Sequence, residues 1–142
     1  MPFYQSGGPR TYLGWGKSHG LGTGLGLNIG AKLAAPEKFV VNFMGDAAFG
    51  MAGLDIETAA RSNIGILTII LNNGVMTGYA QKHMRYASDA YGSNRLGGHH
   101  AKIAEGLGAY SERIEAPDQI RPAIQRGIEA TKTGQPAVLE MM

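Results

Sequence analysis

The sequence predicts an α/β fold, a three-layer sandwich in which helices cover both faces of a mostly parallel β-sheet. Two apolar runs, residues 38–44 and 64–71, are continuous and rich in β-branched or aromatic residues, which is typical of buried parallel strands. Strand-like and helix-like segments then alternate to the end of the chain, and this alternation favours a parallel sheet. A right-handed crossover between the two runs would bring both strand ends to one sheet edge.

The predicted elements follow in order along the chain. Residues 1–20 look irregular and contain Gly-rich turns. A helix over residues 23–35 has many small residues that permit tight packing, and Pro36 ends it. Residues 74–98 show no periodicity, so a mobile loop and short helical pieces over a ligand both fit. The other predicted elements are a crossover helix over 54–63, a helix over 99–109, a strand over 110–115, a helix over 117–133 and a strand over 137–142.

Composition excludes several classes of protein. The 142 residues, 44% hydrophobic and 17% charged, predict a single globular domain over 1–142. No apolar run approaches the roughly 18 residues of a membrane span, and the N-terminus has no signal-peptide pattern, so the cytoplasm is the expected location. The absence of Cys excludes disulfides and thiolate chemistry, and a net charge of +2 with scattered Lys and Arg argues against nucleic acid as a partner.

Polar side chains follow both predicted strands at the point where each strand ends. Gly45-Asp46 follows the first strand, and Asn72-Asn73 follows the second. Taken alone, Asp46 would be a helix or turn cap, and Asn72-Asn73 followed by Gly74 would be a plain turn. Because parallel strands bring their carboxyl ends to the same edge, where open α/β sheets bind ligands, we expect the acid and the amides to converge.

This convergence predicts a magnesium and diphosphate site. Asp46 and Asn73 would supply two hard oxygen ligands, and Mg²⁺ would complete its octahedron with phosphate oxygens and water. The backbone carbonyl of Val75 would add another oxygen. The N–H groups of Ala47 and Ala48, near a helix start, would face the phosphates.

Two other phosphate-binding motifs are disfavoured. Gly16-Lys17-Ser18 resembles the end of a P-loop, but position 11, where the first Gly of that motif belongs, is Thr11. The Gly-rich run over residues 20–26 never satisfies G-x-G-x-x-G. A dinucleotide-binding fingerprint is therefore not expected.

The motif spacing is similar to that of thiamine pyrophosphate enzymes. Gly45-Asp46-Ala47, followed after residues 47–71 by Asn72-Asn73, resembles their G-D-G-x(about 25)-N-N signature. Residues 21–34 resemble the family's Gly-rich helix, 51–61 its crossover helix and 136–142 its final strand. The resemblance is to the C-terminal, pyrophosphate-binding domain of the acetolactate synthase, pyruvate decarboxylase and benzoylformate decarboxylase group.

The resemblance implies thiamine pyrophosphate and Mg²⁺ as cofactors. By it, Asp46, the Asn73 side chain and the Val75 carbonyl are the metal ligands. Leu21 would support the bent conformation of thiamine, and His19 would offer its backbone carbonyl to the 4′-amino group, so both count as catalytic candidates. The implied cofactor-binding residues are His19, Gly20, Leu21, Gly45, Asp46, Ala47, Ala48, Asn73, Val75 and Met76.

The resemblance also implies an enzyme, a lyase or transferase that acts on 2-oxo acids or related acyl donors by decarboxylation, carboligation or C–C cleavage. The family activates thiamine with a Glu on a separate pyrimidine-binding domain, and neither that domain nor the family's first strand–helix unit fits in this chain. We therefore expect a partner domain or chain, a homo- or hetero-oligomer, and no activity without that partner. The alternative is a non-catalytic module that binds thiamine or nucleotide diphosphates.

The four His residues have different expected roles. His19 is the candidate most directly adjacent to the predicted site. His99 and His100 open a predicted helix, where surface or capping roles are the commoner ones. His83 is a weaker candidate for substrate contact, as are Tyr79, Gln81 and Lys82.

Overall fold

A computed structural model of the chain describes residues 4–14, 20–76, 78 and 83–142. Strands and helices alternate along these residues. No helix within the described ranges is long and apolar enough to cross a membrane. The elements are α1 (Thr23–Ala34), β1 (Val41–Gly45), α2 (Asp46–Ala52), α3 (Asp55–Arg61), β2 (Leu67–Leu71), α4 (Arg85–Tyr91), α5 (His100–Gly106), β3 (Tyr110–Ile114), α6 (Pro117–Lys132) and β4 (Ala137–Met141).

The four strands form one parallel sheet in the order β1-β2-β4-β3. β1 lies beside β2 with Gly45 opposite Leu71, so both strands end at the same level. β4 lies between β2 and β3, and Glu140 is opposite Ile70 on one side and Arg113 on the other. The sheet therefore places the ends of β1, β2 and β4 next to one another at its carboxyl edge.

Helices cover both faces of the sheet, which confirms the predicted fold class. Ile66, directly before β2, and Ile70 of β2 belong to a buried cluster on the side of α1, α2, α3 and α5. Leu67 and Ile69, which alternate with them, belong to a second cluster that packs against α6. Burial of each such side chain stabilises the fold by about 1.5–3 kcal/mol.

The crossover from β1 to β2 contains two short helices. The second, α3, lies inside the predicted range of 54–63, whereas α2 begins at Asp46 without any intervening loop. The two helices are separated by a turn at Gly53, whose N–H donates to the Phe49 carbonyl at 2.6 Å. The early start of α2 brings its first backbone N–H groups to the carboxyl edge.

Several element bounds differ from those predicted. β1 begins at Val41 and not at residue 38, and β2 begins at Leu67 and not at residue 64. At Gly65 a Cβ atom would lie 2.1 Å from the Thr131 carbonyl oxygen, so this part of the buried run passes against the end of α6 before it joins the sheet. α5 ends at Gly106, because the chain turns at Gly108 (φ +91°) to enter β3.

The region over residues 74–98 includes a helix, α4, which agrees with the interpretation as short helical pieces. The two ends of the region over residues 74–98 are joined where Val75 forms an antiparallel bridge with Arg95. Beside that bridge, the Met76 N–H donates to the Asn94 carbonyl, and the Leu96 N–H donates to the Gly74 carbonyl, each at 2.8 Å. The predicted candidates Tyr79, Gln81 and Lys82 lie outside the described residues.

Candidate functional site

The ends of β1 and β2 are joined by a hydrogen bond at the carboxyl edge. Asp46 directly follows Gly45, and Asn72 directly follows Leu71, the register partner of Gly45. Two residues further on, the Gly74 N–H donates to Asp46 Oδ2 at 2.9 Å. Gly74 has φ +68°, a left-handed conformation that favours Gly and lets the turn fold back toward Asp46.

The Asp46 carboxylate is buried, with 4% exposure, and both of its oxygens accept backbone hydrogen bonds. Oδ2 accepts from Gly74, and Oδ1 accepts from the Ala47 N–H at 2.9 Å. These bonds fix the orientation of the carboxylate. Since an ionised carboxylate has about four acceptor positions, both oxygens keep capacity for a further ligand.

The turn after β2 is shaped by its own Asn side chains. Asn73 Oδ1 accepts the Val75 N–H at 3.1 Å, an arrangement that mimics a backbone turn. Asn72 Oδ1 accepts the Gly74 N–H at 3.1 Å. The turn thus brings an exposed Asn73 amide and the Val75 backbone next to Asp46.

A cavity of about 590 Å³ opens at this edge, within the range usual for small-molecule sites. Eight of the ten predicted cofactor-binding residues line it, and His83 lines it as well. Gly20 is described but is not among the lining residues, and His19 lies outside the described part of the chain. The lining residues are Leu21, Gly45, Asp46, Ala47, Ala48, Leu71, Asn73, Val75, Met76, Gly78 and His83.

Leu21 is positioned by a close contact between two helix ends. Its neighbour Gly22 has φ +91°, and a Cβ there would lie 2.5 Å from Ala52 Cβ and 2.8 Å from the Ala48 carbonyl oxygen. Gly22 therefore allows the start of α1 to pack directly on α2. As a result, Leu21, which is 38% exposed, presents an apolar side chain to the cavity beside Ala48.

The N–H groups of Ala47 and Ala48, which are predicted to face the phosphates, differ in whether they already have an acceptor. The Ala47 N–H donates to Asp46 Oδ1, so contact with a phosphate would require that bond to be shared or opened. The Ala48 N–H belongs to the first turn of α2, where a backbone N–H has no acceptor within its own helix. Ala48 is therefore the better placed of the two.

The described His residues lie in two places, one at the cavity and two at the start of α5. His83 is exposed at the cavity. His99 caps α5, since its Nδ1 accepts the Lys102 N–H at 3.3 Å, as a capping role predicts. His100 is buried, with 5% exposure, which the expectation of a surface or capping role did not anticipate.

Glu140 was missed by sequence reasoning, although it lies close behind the turn. It is fully buried, and its Oε1 accepts from Asn72 Nδ2 at 2.7 Å. Its Oε2 accepts the Ala101 N–H at 3.0 Å, while His100 Nδ1 lies 3.1 Å from Oε1 and Arg113 Nη1 lies 3.6 Å from it. A charged residue inside the apolar strand over 137–141 was the available signal.

The surroundings of Glu140 keep it ionised. Burial by itself would raise the pKa of the Glu140 carboxyl. The hydrogen bonds from the Ala101 N–H, Asn72 and His100, together with the Arg113 charge, outweigh burial and hold the pKa below its usual value of 4.5. Glu140 is therefore a carboxylate that accepts hydrogen bonds and donates none.

The described residues contain no cluster of three or more His, Cys, Asp or Glu side chains that could hold a metal by themselves. A cation at the cavity would thus depend on a single carboxylate, Asp46, together with amide and backbone oxygens. Such a mixed oxygen set suits Mg²⁺ with phosphate oxygens in its remaining positions. The described residues thus form a cavity with one carboxylate, an exposed amide and backbone groups at the carboxyl edge of an α/β sheet.

Comparison with known proteins identifies the family. Residues 1–141 match the model of the thiamine pyrophosphate enzyme, C-terminal TPP binding domain, and the chain belongs to this family. This confirms the resemblance drawn from the spacing of Gly45-Asp46 and Asn72-Asn73. Binding of thiamine pyrophosphate is the property that defines the domain.

Relatives carry this domain within longer chains. A probable acetolactate synthase of Mycobacterium bovis is 34% identical over 137 residues, which cover 94% of this chain and 24% of the relative. A 2-hydroxyacyl-CoA lyase of Arabidopsis thaliana is 30% identical over 149 residues, with the same coverage. This chain therefore spans about a quarter of the length of these relatives.

A solved structure shows the same fold. The thiamine diphosphate-dependent 4-hydroxybenzoylformate decarboxylase of Rhodococcus jostii superposes with a TM-score of 0.71 at 26% identity. The superposition covers 84% of this chain and 22% of the decarboxylase. The α/β sheet with its two helical layers is thus an arrangement found in a thiamine diphosphate-dependent enzyme.

Proposed function

We propose that this domain holds thiamine pyrophosphate through a Mg²⁺ ion and forms the cofactor-anchoring part of an enzyme that acts on 2-oxo acids or related acyl donors. The proposed metal ligands are Asp46, the side-chain oxygen of Asn73 and the backbone carbonyl of Val75. The observation that supports this most directly is the hydrogen bond from the Gly74 N–H to Asp46 Oδ2, since it ties the two ligand-bearing strand ends together.

The donor set fits the ion. Mg²⁺ prefers oxygen ligands in a strict octahedron and retains water or phosphate oxygens where the protein supplies few. Asp46 and Asn73 each have an oxygen with remaining acceptor capacity and line the same cavity as Val75. Three protein oxygens would leave about three positions for the diphosphate and water.

The chain's own residues would bind and orient the cofactor. When bound, thiamine pyrophosphate supplies an electron sink for chemistry at a carbonyl group. Leu21 and Met76 would offer apolar surface to the cofactor rings and reduce the access of water. The Ala48 N–H would donate to a diphosphate oxygen.

We propose that the activating Glu and the substrate both reach the cavity from outside the described surface of this domain. Among the described residues that line the cavity, Asp46 is the only acid, and its oxygens are committed to backbone N–H groups and the proposed metal. We therefore propose a pyrimidine-binding domain or chain as partner, in a homo- or hetero-oligomer. Decarboxylation, carboligation and C–C cleavage are the reactions that the names of the relatives support.

Calorimetric titration of thiamine pyrophosphate, with and without Mg²⁺, tests the anchor. Asp46→Asn keeps the size of the side chain but removes its charge. We expect a loss of Mg²⁺-dependent affinity larger than the roughly 10- to 100-fold that the loss of an outer-shell partner causes. Asp55→Asn, at the exposed start of α3, is the matched control and should bind like the wild type.

Two outcomes would contradict the proposal. Cofactor binding that needs no Mg²⁺ and survives Asp46→Asn would exclude the anchor. Rapid exchange of the thiazolium C2 proton by this chain alone, measured by NMR, would exclude the need for a partner that carries the activating Glu. We expect exchange no faster than that of free cofactor until such a partner is added.

The alternative function is a non-catalytic module for thiamine or nucleotide diphosphates. It is favoured by one observation, the lack of a second acid among the described cavity-lining residues. Competition with ADP separates the two functions. A module selective for the diphosphate alone would bind ADP and thiamine pyrophosphate equally, whereas the proposed domain should prefer thiamine pyrophosphate through Leu21 and Met76.

A further inference from the structure

A buried carboxylate stands directly behind the turn that carries the proposed metal ligands. Glu140 lies in β4, next to β2, and has no exposed surface. Its contact with the turn is the 2.7 Å hydrogen bond from Asn72 Nδ2 to Oε1. Glu140 itself lies outside the residues that line the cavity, so it acts on a bound ligand through its neighbours.

The contact fixes which way the Asn72 amide faces. An ionised carboxylate can only accept, so the NH₂ group of Asn72 must face Glu140. The Asn72 carbonyl oxygen then faces the turn, where it accepts the Gly74 N–H at 3.1 Å. That same N–H donates to Asp46 Oδ2 at 2.9 Å. A continuous path of hydrogen bonds therefore runs from Glu140 to the proposed ligand Asp46.

Glu140 is itself held in place from two further elements, α5 and β3. The Ala101 N–H at the start of α5 donates to Oε2, and His100 of the same helix lies against Oε1. Arg113 of β3 approaches from the other side at 3.6 Å. These contacts fix the position of the carboxylate. The turn that carries Asn72 must therefore adopt a conformation that fits the fixed carboxylate.

We propose that Glu140 is a positioning residue that sets the geometry of the metal and diphosphate site through Asn72 and Gly74. This rests on the proposed function, because it assumes Mg²⁺ at Asp46, Asn73 and Val75. Mg²⁺ requires nearly ideal octahedral geometry, whereas Ca²⁺ accepts irregular sites. A residue that positions ligands should therefore affect the two ions unequally, while a general loss of stability should affect both alike.

The experiment titrates Mg²⁺ and, separately, Ca²⁺ into the full chain at a saturating concentration of thiamine pyrophosphate. For Glu140→Gln we expect Mg²⁺ affinity to fall about 10-fold, as is common when an outer-shell partner is lost. Ca²⁺ affinity should change by less than about 3-fold. Glu112→Gln, a change of the same chemistry on the adjacent strand but facing α6, should leave both affinities unchanged.

A second measurement needs neither metal nor cofactor. In the ¹H–¹⁵N spectrum of the wild-type chain, the Gly74 amide should resonate downfield because it donates to two oxygens, and Glu140→Gln should shift it while Glu112→Gln does not. An unmoved Gly74 resonance, or equal losses for Mg²⁺ and Ca²⁺, would overturn the positioning role. If the wild type shows no Mg²⁺-dependent binding but Gly74 shifts as expected, the proposed function fails while the link from Glu140 to the turn stands.

Discussion

Glu140 and Glu112 are two carboxylates on adjacent strands, and they differ in almost every physical respect. Glu140 in β4 is fully buried among backbone, amide and imidazole donors. Glu112 in β3 is partly exposed and accepts from Arg126 Nε of α6 at 2.8 Å and from the Tyr110 hydroxyl. The register sets Glu140 opposite Arg113 and Glu112 opposite Leu139, so the two side chains face opposite sides of the sheet.

The comparison shows that a lowered pKa does not reveal a role. For Glu112, the Arg126 hydrogen bond lowers the pKa and outweighs the effect of burial. For Glu140, burial is the largest single influence and raises the pKa, yet the surrounding donors together lower it. The two residues differ in what their partners contact: Asn72, a partner of Glu140, lies in the turn beside the cavity, whereas Arg126, a partner of Glu112, is an exposed side chain of α6.

The largest difference in stability between the two sites is expected when each carboxylate is replaced by an apolar residue. Glu140→Leu leaves the Ala101 N–H and the Asn72 amide without their acceptor in a buried site, so we expect the free energy of unfolding to fall by about 3 kcal/mol. Glu112→Leu removes a partly exposed ion pair, and the loss should be far smaller. Urea unfolding of both variants checks this difference. Equal losses would remove the distinction between the two networks.

A smaller effect is expected when a second acid is introduced beside Glu140. Asn72→Asp replaces a hydrogen bond of 2.7 Å with two like charges, which should cost about 2 kcal/mol at pH 7 and raise the pKa of the acid pair. Because the raised pKa belongs to the folded state, this variant should gain stability as the pH falls toward 5. Asn28→Asp, on α1, is the control and should show no such gain.

The smallest expected effect is the pH dependence of the stability that the two carboxylates contribute. Both carboxylates have folded-state pKa values below 4.5, so their contributions are present above about pH 4.5 and are lost as the pH falls through those lower values. Glu140→Gln and Glu112→Gln should each flatten the acid side of the stability profile. His99, His100 and Arg113 face Glu140, and the Arg113 charge favours its ionised form.

Salt should separate the two contributions. In about 0.5 M NaCl, the flattening caused by Glu112→Gln should nearly vanish, because exposed charges are screened. The flattening caused by Glu140→Gln should persist, since the Glu140 carboxylate is fully buried. Thermal unfolding over pH 2.5–6 at low and high salt measures both, and a Glu140 contribution that disappears with salt would contradict its burial.

The sequence was sufficient where chemistry is local. Asp46 directly follows one apolar strand and Asn73 lies two positions after the end of the next, so both are recognisable, and parallel pairing then brings the strand ends together. α2 was not separated from α3, since only the close packing at Gly53 divides the crossover. Glu140 was not recognised because its partners lie far away in sequence, with Asn72 68 positions and His100 40 positions distant.

The metal-ligand roles of Asp46, Asn73 and Val75 stay predictions, as do the catalytic roles of His19 and Leu21. The structure brings the first three and Leu21 to one cavity, and titration with Mg²⁺ tests the ligation. His19 lies outside the described residues. Sequence patterns could rank these residues because each follows a strand end or a Gly-rich turn, which is where backbone and ligand approach closely.

The close contact of Gly22 with α2 restricts the sequences that this fold can accept. A larger residue at position 22 or 52 fits only if the start of α1 moves away from α2, and Leu21 then leaves the cavity with it. Two small residues outside the cavity lining would therefore tolerate substitution less well than several residues that line it. A library randomised at these positions should return almost only Gly at 22 and small residues at 52 among variants that retain cofactor binding.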